Sequence, residues 1–297
     1  MNATARARLN VALSMAIFGT LPLFVRQVHA SSAMIALLRA AIALVALASA
    51  YLLRGGRGLR VESKREMLLL LASGAAMGVN WILLFEAYNY VSVQIATLLY
   101  YFAPVIVAVA GAALFHERMG AKRGLCFVGA AAGLLLTIGP DVFSGSIRPA
   151  GVACGLGAAI LYATVILLNT QIRSVGGVER TILQFAAATA VLAVYVALSE
   201  GVHLERISGR EWIFFSVLGL IHTALAFSMY FSGLARLSGQ EAAFLGYIDP
   251  MVAILAGCLI LREPTTAVQL LGGAMILAFT LIAQLPGKKT IRGQGNE

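Results

Sequence analysis

The sequence predicts an all-α polytopic membrane protein, with ten transmembrane helices arranged as two inverted five-helix repeats around a central cavity. Three observations carry that prediction. Hydrophobic residues make up 60% of the chain and charged residues only 12%, against roughly 45–50% and about 25% in soluble domains. Ten apolar runs have the roughly 17–25 residues that cross about 30 Å of hydrocarbon. Finally, "YYFAPVIVAVAGAALFHE", beginning at Tyr100, returns in outline as "GYIDPMVAILAGCLILRE", beginning at Gly246.

The runs lie at Leu9–Val25, Ser32–Leu53, Met67–Tyr88, Ser92–Phe115, Arg123–Gly139, Ala150–Leu168, Ile182–Leu198, Trp212–Leu234, Ala242–Leu261 and Ala267–Leu285. They are continuous and rich in Ala, Leu and Gly, whereas barrel strands alternate over segments of about 10 residues. The first run is of full length and is followed at once by another, so it reads as a retained span rather than a signal peptide. Cys126, Cys154 and Cys258 fall inside spans without C-x-x-C spacing. They read as small apolar fillers, with no metal site and no disulfide framework.

Orientation follows from the basic residues. With a cytoplasmic amino terminus, sixteen of the 22 Lys and Arg fall on the inner side and five on the outer, with Arg39 left inside the second span. By the positive-inside rule both termini are cytoplasmic. The net charge of +9 sits in short loops on one face. That distribution fits topology and anionic lipid rather than nucleic acid.

Pro104 and Pro250 are 146 residues apart, as are Glu117 and Glu263. At that offset, without a gap, Ser92, Gln94, Ala96, Leu99, Tyr101, Ala110, Gly111, Leu125, Leu135 and Pro140 also meet identical residues. Trp81 meets Phe227 and Phe85 meets Phe231. Residues 1–140 and 141–297 therefore read as two copies, the second ending in a short cytoplasmic tail. Five spans per copy is an odd number, so the second copy enters the membrane from the opposite side. This is a recurring plan of secondary transporters, with substrate held near the midplane. The loops agree: Arg118, Lys122 and Arg123 follow Glu117, and their counterparts after Glu263 carry no charge.

The second-span "ALLRAAIALVA" and the paired "APVIVAVAGAALFHE" and "DPMVAILAGCLILRE" resemble the EamA-type exporters of the drug/metabolite transporter superfamily, over nearly the whole chain. The aromatic-rich middle is most similar to the bacterial exporters of aromatic amino acids. The resemblance implies a carrier of the bacterial inner membrane that exports aromatic and other neutral amino acids by alternating access, with no cofactor. Export of another metabolite or a drug cation is the alternative.

Candidate residues gather around the repeated segments. Gln94, Thr97, Tyr101, Pro104, Ala108 and Gly111 share one face of the fourth helix, and Gln240, Ala243, Tyr247, Pro250, Ile254 and Gly257 repeat that face on the ninth. Each proline frees the carbonyl four residues back, that of Tyr100 or Gly246. Such a break is tolerated in hydrocarbon where it faces protein or a wet cavity, although the prolines also serve simply to shape the bundle. Trp81, Phe85, Tyr100, Tyr101, Phe227, Tyr230 and Tyr247 lie at similar depth and either wall an apolar pocket or pack helices. Tyr88, Tyr90 and Trp212, near span ends, suit an interfacial belt.

Arg39, His222 and Asp249 are ionisable groups at membrane depth, where charge is costly. Arg39 fits a structural ion pair or a contact with a substrate carboxylate or gate. Asp249, matched by Ala103 in the repeat, fits a substrate amine or an ion pair with Arg39. His222 suits proton relay or packing. Asn80 suits a zwitterion or a helix-to-helix hydrogen bond. Gly129 and Gly133 form a G-x-x-x-G that packs within the chain or between protomers.

No G-x-x-x-x-G-K-[ST], H-E-x-x-H or G-x-S-x-G is present, and "GLGAAI" at Gly155 lies inside a span. ATP-driven transport and hydrolytic chemistry are not indicated. A membrane-embedded lipid-modifying enzyme would need paired Asp, His or metal-ligand clusters at one interface, and the sequence shows none.

Overall fold

A computed structural model describes residues 3–56, 61, 63–114, 121–143, 148–172, 174–175, 177–234, 236–237, 245–246, 248–263 and 265–284. The elements are α1 (Ala3–Val25), α2 (Ser32–Leu53), α3 (Lys64–Tyr90), α4 (Val93–Tyr100), α5 (Ala103–Leu114), α6 (Ala121–Phe143), α7 (Pro149–Thr170) and α8 (Gly177–Ser199), followed by a 3-10 turn (Leu204–Arg206). Then come α9 (Gly209–Ser216), a π-helical segment (Val217–Leu225), α10 (Ala226–Leu234), α11 (Ile248–Leu259) and α12 (Ala267–Gln284).

Among the described residues, all ten predicted runs contain helix. Six stretches are long and apolar enough to cross a bilayer: Ala3–Val25, Ser32–Leu53, Lys64–Tyr90, Pro149–Thr170, Val178–Ser199 and Gly209–Tyr230. Four apolar helices are shorter, at Val93–Val107, Gly124–Thr137, Ile248–Leu259 and Ala267–Ile282. The protein is an all-helical, multi-pass membrane protein.

Local signals explain several helix starts. Ser31 caps α2 by accepting from the Met34 amide, Ser92 caps α4 by accepting from the Ile95 amide, and Ser208 and Glu211 form a reciprocal capping box at α9. Pro149 opens α7, where its missing N–H costs nothing. The predicted first span starts at Leu9, but residues from Ala3 onward are already helical, because the Ala-rich polar lead-in favours helix although it is not apolar.

The duplication is visible in element positions and packing. Shifting α2 by 146 residues gives 178–199 and lands on α8, and shifting α6 gives 267–289, which takes in all of α12. Helix α3 packs on α7 and α8, while its counterpart, the α9–π–α10 span, packs on α1 and α2. Helices α4 and α5 pack on α7, and α11 on α1. The pairs α2–α8, α4–α11 and α6–α12 join equivalent elements of the two halves. Exchanging the halves leaves this set of contacts unchanged.

Small residues bring these helices close. A Cβ on Gly133 would meet the Gly272 carbonyl oxygen at 2.7 Å, and one on Gly272 would meet the Thr137 hydroxyl at 2.5 Å. Gly129 faces the Phe279 ring on the same partner helix. The G-x-x-x-G of α6 therefore packs within the chain against α12.

Candidate functional site

Because Pro104 has no amide hydrogen, the Tyr100 carbonyl loses its helical partner and the helix is weakened there. Helix α4 stops there, the Phe102 amide turns back to the Leu99 carbonyl at 3.1 Å, and α5 resumes at Ala103 with the proline in its first turn. The fourth run is thus two helices, and Tyr101 stands at the break. Pro250 is buried on α11. Tyr247, its expected companion, lies outside the described residues, as does the Glu117 loop.

The Tyr101 hydroxyl donates to Asp249 Oδ2 at 2.5 Å, joining the broken span of the first half to α11 of the second. Asp249 lies on α11 directly before Pro250. Gly19 makes room for that turn, since a Cβ there would lie 2.5 Å from the Asp249 carbonyl oxygen.

Tyr100 stacks on Tyr162 of α7 with ring centroids 4.9 Å apart, and meets Tyr101 edge-on at 6.1 Å. Its hydroxyl lies 3.5 Å from Asn80 Oδ1. Asn80 itself is buried and donates to the Ala158 carbonyl at 2.5 Å, which makes it a helix-to-helix tie between α3 and α7. Tyr162 lies deep in the protein yet keeps 37% of its surface accessible, and Tyr100, Tyr101 and Asp249 are also only part-buried.

Arg39 is 3% exposed, so its stem does not snorkel to the membrane surface. Its Nε donates to Thr223 Oγ1 at 2.6 Å, and its guanidinium carbon lies 4.6 Å from the Trp81 ring centroid and 5.7 Å from that of Phe85. Trp81 is buried and supports the cation through its face. Among the described residues Arg39 has no carboxylate partner, and its two Nη atoms make no hydrogen bond. The expected ion pair with Asp249 is absent, because each group is held by its own neighbours. Their fields still converge: Tyr88 and Tyr100 interact electrostatically with both charges.

Thr223 reaches Arg39 because α9 continues into a π-helical stretch, in which the Thr223 hydroxyl donates five residues back to the Leu218 carbonyl at 2.7 Å. Wide turns of this kind recur at functional sites. His222 lies in the same stretch, buried, with Nε2 3.1 Å from the Thr20 hydroxyl, Nδ1 3.3 Å from the Val217 carbonyl and its ring against Phe24 at 4.6 Å. It packs between α1 and the π segment. Tyr230 meets Phe18 edge-on at 6.5 Å, at one end of an aromatic line that runs through Phe18, Phe227, Phe185 and Trp81 to Arg39.

Tyr88, expected at an interface, is buried in the core, whereas Trp212 is 36% exposed. Sequence reading missed Tyr162 and Thr223. Tyr162 is matched in the repeat by Ala16 and Thr223 by Met77, so the offset that picked out Tyr101 passes over both. A separate cavity of about 240 Å³ lies between α4, α6, α11 and α12, lined chiefly by apolar groups such as Leu98, Met251, Leu255 and Leu277, and it contains none of the charged groups.

On the outer side of the predicted topology, Arg26 pairs with Glu263 at 2.7 Å, and Glu263 also accepts from the Val93 amide at 2.9 Å, at the start of α4. This cluster ties the end of α1, the start of α4 and the α11–α12 connection together.

A family model described as the EamA-like transporter family matches residues 6–139 and again 149–284. The chain is 27% identical over 298 residues to the uncharacterized transporter YxxF of Bacillus subtilis, covering 98% of this chain and 94% of that one. It is 29% identical over 274 residues to an uncharacterized transporter of Archaeoglobus fulgidus, covering 92% and 94%. The uncharacterized inner membrane transporter YicL of Salmonella typhimurium is 23% identical, with 98% and 99% covered. A solved crystal structure shares the fold with a TM-score of 0.65 at 18% identity, over 95% of this chain and 98% of that one. With both halves matched separately, the chain is a membrane transporter and not an enzyme, and it belongs to the EamA-like transporter family.

Proposed function

We propose that this transporter exports amino acids, aromatic and other neutral ones, across the bacterial inner membrane by alternating access of two inverted halves, 1–140 and 141–297, with both termini cytoplasmic. One observation carries the substrate class. Arg39 from the first half and Asp249 from the second approach the same tyrosines as unpaired, opposite charges among the described residues. A zwitterion presents a carboxylate to the guanidinium and an ammonium to the aspartate, and so compensates both charges at once. Tyr100, Tyr101 and Tyr162 supply ring faces for an aromatic side chain.

A second reading, export of an organic cation, draws on Asp249 and the same rings. It leaves Arg39 without a counter-charge among the described residues. Counterflow of labelled L-phenylalanine in liposomes, challenged with amino acids and with quaternary amines, tests the proposal. Competition by neutral amino acids alone supports it. Competition by quaternary amines alone selects the second reading.

A further inference from the structure

Helices α11 and α12 are consecutive, yet they pack chiefly on other partners: α11 on α1 and α4, and α12 on α6. The cavity of about 240 Å³ occupies the seam between them. Ile95 and Leu98 of α4, with Gly273 of α12, are its buried side, whereas Met251, Leu255 and Leu270 line it and are about half exposed. The seam therefore opens sideways, toward the hydrocarbon of the membrane.

The few polar groups of the seam bond to one another. Gln94 accepts from the Thr265 hydroxyl and donates to Cys258 Sγ at 3.1 Å, Gln269 accepts from the Thr266 amide at 2.8 Å, and Thr137 donates to the Gly133 carbonyl at 2.9 Å. What remains is a chiefly apolar slot with no charged group, which suits neither a zwitterion nor water. Apolar cavities of this kind stay dry, and one of about 150 Å³ takes up benzene. Left empty, the lining forfeits its dispersion contacts. An acyl chain supplies them and desolvates no polar group on entering.

The lining is also graded along its length. Gln94, Thr265 and Gln269 lie at the end nearest the connection 260–266, and from Gln269 to Leu277 the slot follows α12 for about 12 Å at 1.5 Å per residue. Arg262 stands in that connection, exposed, with a φ of 53° and no carboxylate partner among the described residues, while Arg26 takes the neighbouring Glu263. A cation above the polar end of an apolar slot has the polarity of a phospholipid, with phosphate on the guanidinium and a tail between the helices. The repeat does not duplicate this arrangement: at the 146-residue offset Arg262, Leu270 and Leu277 are matched by His116, Gly124 and Ala131.

We propose that the α11–α12 seam binds one anionic phospholipid, its acyl chain between Met251, Leu255, Leu270 and Leu277 and its phosphate on Arg262. Met251 lies two residues beyond Asp249, so the tail braces the helix that carries this carboxylate. The inference does not depend on the substrate class.

The test uses full-length protein stripped of lipid in detergent and titrated with palmitoyl-oleoyl phosphatidylglycerol or phosphatidylcholine, with bound lipid counted by native mass spectrometry. Wild-type protein should retain one phosphatidylglycerol under activation that removes all others, should bind it about fivefold more tightly than phosphatidylcholine, and should unfold several degrees higher in its presence. Arg262→Gln should lower phosphatidylglycerol to the affinity of phosphatidylcholine. Ala274→Phe, which places a ring in the slot, should abolish retention of both lipids and the thermal shift, whereas Val194→Phe, on the exposed face of α8, should change neither. Wild-type protein that retains no lipid, or retains both lipids equally, overturns the inference. Retention that survives Ala274→Phe overturns it as well, and so does a dimer that forms in place of lipid binding and is lost in Ala274→Phe, since a second copy then fills the seam. The wild-type titration and the exposed Arg262→Gln variant decide the matter even where Ala274→Phe does not fold.

Discussion

Tyr101 and Asp249 are 148 positions apart in sequence, and their side chains meet at 2.5 Å across the two halves of the protein. The phenol serves as donor to the carboxylate and as a ring wall of the site. Two substitutions separate these roles. Tyr101→Ala should weaken binding of tryptophan by about two- to tenfold, the equivalent of about 0.5–1.5 kcal/mol for a lost aromatic contact, with a smaller loss for threonine. Tyr101→Phe should keep the preference for tryptophan over threonine and weaken both substrates alike. Equal losses for both substrates in Tyr101→Ala, with transport normalised to folded protein, would remove the ring from the binding site.

Arg39 gives the opposite test, because it has no carboxylate to abandon among the described residues. Arg39→Met removes a buried charge and keeps an unbranched apolar stem, a change that is often neutral or stabilising. The thermal midpoint in detergent should hold or rise, while affinity for amino acids falls by about ten- to a hundredfold. A steep drop in the midpoint with unchanged affinity in the surviving protein would show that Arg39 is structural.

Gly272 lies where a Cβ would run into the Gly133 carbonyl and Thr137. Neither atom belongs to the flexible end of a long side chain, so Gly272→Ala should force α6 and α12 apart and cost about 1–3 kcal/mol. Thermal unfolding should detect the loss, whereas Gly124→Ala, whose added Cβ meets nothing within 4 Å, should leave stability unchanged.

Orientation is tested by labelling. Cysteines placed beside Arg57 and Lys289 should be protected from an impermeant thiol reagent in intact cells, and one beside Arg206 should react, in keeping with the sixteen-to-five distribution of basic residues. The reverse pattern would invert the topology.

The Glu263 cluster makes a further prediction. Glu263→Gln removes the charge that holds Arg26 and weakens the bond to the Val93 amide. A cysteine at Thr97, buried on α4 in this structure, should then react several-fold faster with a reagent applied from outside. An unchanged rate would show that the cluster does not hold the outer ends together.

The sequence alone determined the class of protein, the number of apolar runs and their duplication. Hydropathy follows from composition in a window, and a gene-length repeat survives as matched Ser, Gln, Tyr, Pro and Glu at one offset. It also determined the freed carbonyl and bend before Pro104, because a missing amide is a local fact, whereas the full split into two helices was decided by the fold. The partners of each charge were settled only by the fold. Arg39 and Asp249 read equally well as an ion pair until Thr223 and Trp81 were found on one and Tyr101 on the other. Thr223 enters the site through a π-helical stretch that no residue pattern announces, and Tyr162 through the packing of α7 on α4 and α5. Asn80, a candidate ligand by its chemistry, was drawn to the Ala158 carbonyl by the close approach of α3 and α7. Residue type sets what a side chain can bind. Which neighbour it meets depends on contacts between residues 78 to 184 positions apart, and those exist only once the helices have packed.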